Sequence, residues 1–411
     1  MKTAAIIAEY NPFHKGHEYH INETRRKSSA DLILVLLSSD FTQRGEIALC
    51  DKYLRTRMAL EGGADLVLEL PLAISTASAE FYAKGAVSIL NRLSVIDYLS
   101  FGAENNDLQR LQQLAEFLLK EPSDYKLSLQ KGLQRGLSFP SAREEALKES
   151  FPDLDIKALT STPNNILALE YLKSLMALKS PIKPLCINRT LDNYNNKELV
   201  TDGFSSASAI RQSLKSNPPS SLSAFLPECS LKLLEGNYRK CLPLYPEDIS
   251  GLLYYRLLYC SPKELALYAD LSESLAGKIK KRLPEYTSAP DFAQSLKSRD
   301  LTLTRINRAL IHILLNLKAD AYEDVNFSSA SSYVNLLGFK KSALPLLNKI
   351  KSQGNIKLLS KAASGSDILT PGEMSCFDQT TRASMLYQSI IQVKFSVNPK
   401  NPFRQSPIII D

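Results

Sequence analysis

The chain predicts an α/β fold, a parallel sheet with helices on both faces, followed by a mainly α-helical C-terminal region. Three observations carry this expectation. Apolar runs of strand length recur five times in the first half of the chain. Segments rich in helix formers fall between them. Beyond about residue 246 the pattern is helical, with no further strand alternation. Strands that alternate with helices at this spacing argue for parallel pairing, because a parallel connection needs a crossover.

Residues 3–9 read as a first buried strand and 17–28 as a helix. "DLILVLLSS" (31–39) is a second strand. "DKYLRTRMALEGG" (51–63) is helical, with Leu54 and Met58 on one face and Gly62–Gly63 as its stop. "ADLVLELP" (64–71) is a third strand, ended by Pro71. A helix over 76–93 leads to a fourth strand, "VIDYLSFGAE" (95–104). A helical insertion covers about 107–180, and "IKPLCINR" (182–189) is a fifth strand. "SSASAIRQSLK" (205–215) opens a helix with Ser205 or Ser206 as its N-cap. The Pro- and Ser-rich stretch 215–228 marks a boundary. "LTLTRINRALIHILLNL" (301–317) is the clearest amphipathic segment beyond it.

A length of 411 residues exceeds one ordinary domain. The expected division is an α/β region at 1–215, a linker at 216–245 and a helical region at 246–411. A net charge of +7 fits a polyanionic partner such as RNA, and equally a lysine-rich protein without one. The six cysteines form no CxxC pair and have no histidine at ligand spacing, which argues against a zinc site or a disulfide framework. Apolar runs such as "LILVLL" (32–37) are too short to cross a membrane. The N-terminal apolar run stops at Glu9, unlike a signal peptide. A cytoplasmic chain with no membrane partner is expected.

The chain has four histidines, and three of them, His14, His17 and His20, fall in "HKGHEYH" where the first strand gives way to the first helix. Ligands of parallel α/β sheets bind at the carboxyl ends of the strands. A helix N-terminus there offers N–H groups and a positive dipole end to phosphate. Gly16 permits close backbone approach, and His14 and His17 can donate to phosphate oxygens or stabilise charge developing at phosphorus. A satisfied loop histidine or a metal site is the other reading of the cluster. His20 and His312 are expected to be structural.

After Asn11-Pro12-Phe13, the run His14-Lys15-Gly16-His17 resembles the H-x-G-H signature of nucleotidyltransferases that break ATP between its α and β phosphates. "SSASAIR", ending in Ser208 and Arg211, resembles the serine-rich helix start that holds β and γ phosphates in that class. Longer stretches resemble one family. They are "AEYNPFHKGH", "DFTQRGEIALCDKYLRTRMALEGGADLVLELP" (40–71), "FGAEN" (101–105), "LSFPSAREEAL" (137–147), "PNNILALEYLKSL" (163–175) and "TLTRINRALIHILL" (302–315). They are similar to the tRNA(Met) cytidine acetate ligases, best before residue 215 and extending to the final "PIIID".

The resemblance implies a Rossmann-like nucleotidyltransferase sheet. It also implies activation of acetate with ATP to acetyl-adenylate, and transfer of the acetyl group to N4 of the wobble cytidine of elongator tRNA(Met). Mg2+ is expected with ATP, with no metal ligand from protein side chains. Catalytic roles fall on His14 and His17. ATP contacts fall on Ile7, Ala8, Glu9, Tyr10, Asn11, Pro12, Phe13, His14, Lys15, Gly16, His17, Glu18, Tyr19, His20, Gly102, Asn164, Arg189, Ser208 and Arg211. Departures from the family pattern are Tyr53 in place of Trp, Ser208 in place of Thr, and Asp40 in "SSDF". A carboxylate at position 40 repels acetate and ATP unless Arg44 or Lys52 pairs with it.

Candidate basic contacts to tRNA are Arg44, Lys52, Arg55 and Arg57 near the site. In the helical region they are Lys278, Lys280, Lys281 and Arg282 of "GKIKKR", with Arg305 and Arg308 beyond. Two other functions share the nucleotide motifs. One is a small-molecule adenylyltransferase of cofactor biosynthesis, which has no use for the long helical region. The other is a non-catalytic nucleotide- or RNA-binding protein.

Overall fold

The computed structural model describes residues 1–104, 107–188 and 205–411. Eight strands form one sheet in the order β5-β4-β1-β2-β3-β6-β7, with β8 also paired to β6. The five expected strands are β1 (Thr3–Ala8), β2 (Leu32–Ser38), β3 (Leu66–Leu70), β4 (Tyr98–Ala103) and β5 (Lys183–Asn188), and they run parallel. The chain steps from β1 to β2 to β3 on one side, then returns to the far side of β1 for β4 and β5. The strand order therefore reverses between β1 and β4. Beyond the carboxyl ends of strands, such a reversal opens a crevice.

Side-chain alternation builds the two faces. Ala4, Ile6, Ile33, Val35 and Leu37 cluster with Ile21 of α1 (Lys15–Ser28) and with Met58 and Leu60 of α2 (Lys52–Glu61). Ala5, Leu34, Leu36, Leu66 and Leu68 cluster with Ala83, Val87 and Leu90 of the helix Ala79–Leu93, and with Leu169 and Leu172 of Pro163–Ala177. Every residue of β2 and β3 is buried, so β2 reads as an apolar run up to Ser38 and β3 as one interrupted by Glu69. The stretch 107–180 is helical throughout its regular elements, as expected of the insertion.

The later chain is mostly helical, but the expectation of no further strand is corrected. β6 (Tyr333–Lys340) adds antiparallel to β3, and β7 (Lys357–Leu359) and β8 (Ile408–Ile410) lie parallel to β6. Six of the eight positions in "YVNLLGFK", all but Asn335 and Lys340, are apolar or aromatic, and the same six are buried. Such a run cannot be told from a buried helix by periodicity. β7 and β8 are three residues each, too short to show alternation.

A third cluster joins the helical region to the sheet. Phe41, Ile47 and Ala48, from the loop after β2, pack with Leu253, Leu257, Ile279, Phe292, Ile306 and Leu310. The long helix Pro371–Phe395 runs along this seam. Its Tyr387 hydroxyl donates to the Ala48 carbonyl (3.0 Å), and its Thr380 hydroxyl accepts from the Leu72 N–H (3.0 Å). Beneath lies a buried polar chain. Lys52 Nζ donates to Glu69 Oε1 (2.6 Å) and to Ser384 Oγ (2.9 Å). Asn335 Nδ2 donates to Glu69 Oε2 (2.8 Å), and Ser384 Oγ donates to Asp40 Oδ2 (2.7 Å). Burial works against the Lys52 charge, but Glu69 and Asp40 outweigh it and hold the ammonium protonated.

Removing one partner of a buried ion pair leaves an uncompensated charge. Glu69→Ala is expected to cost about 3–5 kcal/mol, read as a lower urea midpoint at unchanged slope. The Lys52→Met, Glu69→Leu double variant removes both charges and should lose much less. An equal loss in the double variant contradicts this account.

Candidate active site

The site begins where β1 ends. Tyr10 takes a left-handed conformation (φ 46°), a costly one for a residue with a Cβ, and turns the chain out of the strand. His14 then serves as N-cap of α1 in extended conformation. Its Nδ1 accepts the Gly16 N–H (3.1 Å), and His17 Nδ1 accepts the His14 N–H (3.3 Å). The two rings stack with centroids 3.8 Å apart. With Nδ1 of each ring accepting, the proton of each neutral imidazole sits on Nε2. The capping box thus makes both histidines hydrogen-bond donors.

The reversal between β1 and β4 holds a cavity of about 310 Å³. β1 and the turn after it supply Ile7, Ala8, Glu9, Tyr10, Asn11 and His14, and α1 adds His17 and His20. Gly102 comes from the end of β4, Asn164 from the start of Pro163–Ala177, and Ser208 and Arg211 from the helix Ala207–Ser213. Gln43 and Arg44 close it from the loop after β2. Most of the residues expected to contact ATP therefore meet around one space.

Several do not line it. Phe13 is fully buried, with its ring against Gly62. Lys15 Nζ donates to the Ala224 carbonyl (2.7 Å), which ties α1 to the segment after Arg211. Pro12, Gly16, Glu18 and Tyr19 also lie outside the lining, Gly16 acting through its N–H on His14. Arg189 lies outside the described residues. His20 Nε2 is 3.0 Å from Ser100 Oγ, so it both lines the cavity and braces α1 against β4. His312 is elsewhere, fully buried, with its ring nitrogens 3.1 and 3.0 Å from the carbonyls of Ala269 and Thr76.

The basic residues sort by burial. Arg55 is completely buried and donates to the carbonyls of Cys50 (3.1 Å), Glu9 (2.7 Å), Ser38 (3.1 Å) and Ser39 (2.6 Å). Lys52 is buried on Glu69. Neither side chain reaches solvent, so both are withdrawn as tRNA contacts. Arg308 is also buried, on Asp270 (2.8 Å). Asp40 does not face the cavity. It is buried, its Oδ1 accepts the Lys52 main-chain N–H (2.8 Å), its Oδ2 takes the Ser384 hydroxyl, and Arg55 lies 3.9 Å away. The anticipated conflict with bound anions does not arise.

Sequence reasoning missed Tyr82, Phe101, Ile166, Leu167 and Tyr171 in the lining. They come from two helices and a strand with no shared motif, and only the topology brings them together. Arg44 was read as a tRNA contact or a partner for Asp40, yet it lines the cavity. Gly45 beside it has φ 71°, and a Cβ there would lie 2.2 Å from the Arg308 main-chain nitrogen. The helical region thus presses directly on the loop that carries Gln43 and Arg44, which explains a glycine in "QRGE". Among the described residues no group of three or more His, Cys, Asp or Glu is placed to hold a metal. No helix among them is long and apolar enough to cross a membrane.

Comparison with known proteins agrees with this geometry. The family model described as HIGH Nucleotidyl Transferase matches residues 1–401. A tRNA(Met) cytidine acetate ligase of Acetivibrio thermocellus is 38% identical over 367 residues, covering 88% of each chain. One from Clostridium perfringens is 40% identical over 371 residues, covering 88% of this chain and 90% of that protein. The crystal structure of Thermotoga maritima TmcAL without ligand superposes with TM-score 0.93 at 26% identity, covering 100% of both chains. The same protein bound with alpha-thio ATP gives 0.91 at 26% identity, covering 100% of this chain and 99% of that one.

The histidine geometry has a measurable consequence. In their expected catalytic role, donation from Nε2 to a reacting phosphate, His14 and His17 would act chiefly in the transition state. His14→Ala and His17→Ala should each lower cleavage of ATP at its α phosphate by about 100-fold or more, the size seen when one oxyanion donor is lost. ATP affinity, measured by calorimetry, should change far less. Near-normal turnover in both variants would rule out this role.

Proposed function

The chain belongs to the tRNA(Met) cytidine acetate ligase family of HIGH nucleotidyl transferases, and from this we propose how its cavity works. The enzyme is an ATP-dependent ligase. It forms acetyl-adenylate from acetate and ATP, then transfers the acetyl group to N4 of the wobble cytidine of elongator tRNA(Met), giving N4-acetylcytidine. The observation that carries the site assignment is the convergence of the stacked histidine donors, Gly102 and Arg211 on one cavity at the sheet reversal.

Acetate is a poor acyl donor because oxide would have to leave. Attack of its carboxylate on the α phosphorus expels pyrophosphate and leaves a mixed anhydride, from which AMP departs readily. The protein's part is alignment and charge neutralisation. We assign His14 and His17 to the α phosphate. Ser208 and Arg211 are assigned to the outer phosphates. Arg211 is held there by the Asn11 carbonyl (2.9 Å) and Glu46 (3.0 Å). Arg44 adds positive charge at the rim. Mg2+ is assigned to the triphosphate and its waters, since this ion keeps several waters and is commonly held through substrate phosphates. No enzyme-bound acyl intermediate is required. No cysteine lines the cavity, and burial pushes the thiols of Cys186, Cys241 and Cys376 up to about 11.

We assign adenylate formation to the α/β region at 1–215 and tRNA holding mainly to 246–411, in the cytoplasm. A wobble base in a single-stranded loop can enter such a cavity without opening a duplex. In "GKIKKR", Lys278 Nζ donates to the Leu296 carbonyl (2.7 Å) and Lys280 Nζ to the Leu257 carbonyl (2.8 Å), whereas Lys281 is exposed. Lys281, Arg44 and the exposed Arg57 and Arg305 remain candidates for phosphate contact, as does Arg282 beside Glu285.

The direct test is mass spectrometry of tRNA nucleosides after incubation with ATP and acetate. N4-acetylcytidine should appear, and acetyl-coenzyme A without ATP should not support it. Acetylation from acetyl-coenzyme A alone contradicts the assignment. For the tRNA face, Lys281→Ala should weaken tRNA binding and lower the salt slope by roughly one unit, as expected for one lost phosphate contact. An unchanged slope removes Lys281 from the interface.

A further inference from the structure

Acetate and ATP are both anions, yet the cavity wall contains a carboxylate. Among the described lining residues Glu9 is the one that carries a carboxyl group. Binding two anions gives no reason for it. The second half-reaction does, because the cytosine amine must shed a proton as it becomes an amide nitrogen. We propose that Glu9 accepts that proton from N4 of the wobble cytidine during acetyl transfer. This rests on the acetate-ligase reading above.

The other groups in the cavity are poorer candidates, His20 having its Nε2 turned to Ser100 Oγ at 3.0 Å. His14 and His17 already accept a backbone N–H at Nδ1 and carry their proton on Nε2. Burial holds the Tyr10 and Tyr171 hydroxyls protonated. Arg44 and Arg211 are cations. Glu9 is built to stay in place. Its Oε1 accepts the Gln43 N–H (2.9 Å), and its main-chain carbonyl takes the Arg55 guanidinium (2.7 Å). Oε2 makes no hydrogen bond among the described residues. A carboxylate is also a natural partner for the N4 amine of cytosine.

The surroundings tune it. Burial raises the Glu9 pKa, against Arg44, the Gln43 N–H and Arg211, with Glu46 adding to the rise. The groups facing it are Arg44 and Glu46 from the loop after β2, Arg211 from Ala207–Ser213, Arg55 from α2 and Tyr171 from Pro163–Ala177. A carboxyl raised toward neutrality is a better base than an ordinary one. In the step, the N4 lone pair bonds to the acetyl carbonyl carbon. The anhydride C–O bond breaks, and its electron pair leaves on the phosphate oxygen of AMP. One N4 proton passes to Glu9 and then to water.

The experiment compares the two half-reactions in Glu9→Gln, which keeps the shape and the acceptor for Gln43, and in Glu9→Asp, which keeps the charge. Circular dichroism checks the fold. Acetate-dependent ATP–pyrophosphate exchange reports adenylate formation. Single-turnover acetylation of tRNA reports transfer. Transfer should fall by about 100-fold or more in Glu9→Gln, the usual size for a lost general base, and at least tenfold more than exchange. Wild-type transfer should decline as pH falls through a pKa above the ordinary carboxylate range, since the deprotonated form is active. Glu9→Gln should lose that decline and Glu9→Asp retain it at a lower rate. Equal loss of both half-reactions, or normal transfer in Glu9→Gln, overturns the proposal. If the wild type shows no acetate-dependent exchange, the acetate-ligase reading itself fails and takes this proposal with it.

Discussion

One buried guanidinium organises the active edge of the sheet. Arg55 gathers the carbonyls of Glu9 at the end of β1, Ser38 and Ser39 at the end of β2, and Cys50 at the entrance to α2. Ser38 is the last residue of β2 and the other three lie beyond the strands; a buried carbonyl that loses its donor costs about 1–3 kcal/mol. A lysine has no flat fork of five donors to replace it. Asp40 at 3.9 Å balances the charge. The β1 wall of the crevice is thereby tied to the end of β2 and the start of α2 through one rigid group.

That tie extends into the C-terminal half. Asp40 takes the hydroxyl of Ser384, Lys52 bridges Ser384 and Glu69, and Glu69 holds Asn335 of β6. Gly45 lies against the backbone of Arg308, and Tyr387 reaches the carbonyl of Ala48. The loop carrying Gln43 and Arg44 is therefore fixed from both sides. The cavity is lined by residues no later than Arg211, and the second half of the chain backs the loop that closes it.

The five parallel strands were legible because each is a short, mostly apolar run bounded by turn residues, with β2 and β3 buried on both faces. The histidine turn was legible because its spacing places two imidazoles on one helix start. β6 was hidden among helical patterns, and its role depends on a pairing with β3 across more than 260 residues. Lys52 and Arg55 were misread because a cation on an amphipathic helix shows its type but not its surroundings. On α2 they share the inward side with Thr56, Met58 and Ala59. Asp40 was an open question for the same reason: its partners, Ser384 and the Lys52 N–H, come from backbone geometry and from the far end of the chain.

The central claim is that acetate itself attacks the α phosphorus of ATP within the β1–β4 crevice. Oxygen labelling tests it most directly. With acetate carrying 18O in both oxygens, one labelled oxygen should pass to the phosphate, so the AMP released on tRNA acetylation should contain one 18O atom by mass spectrometry. Unlabelled AMP accompanying N4-acetylcytidine would contradict the account.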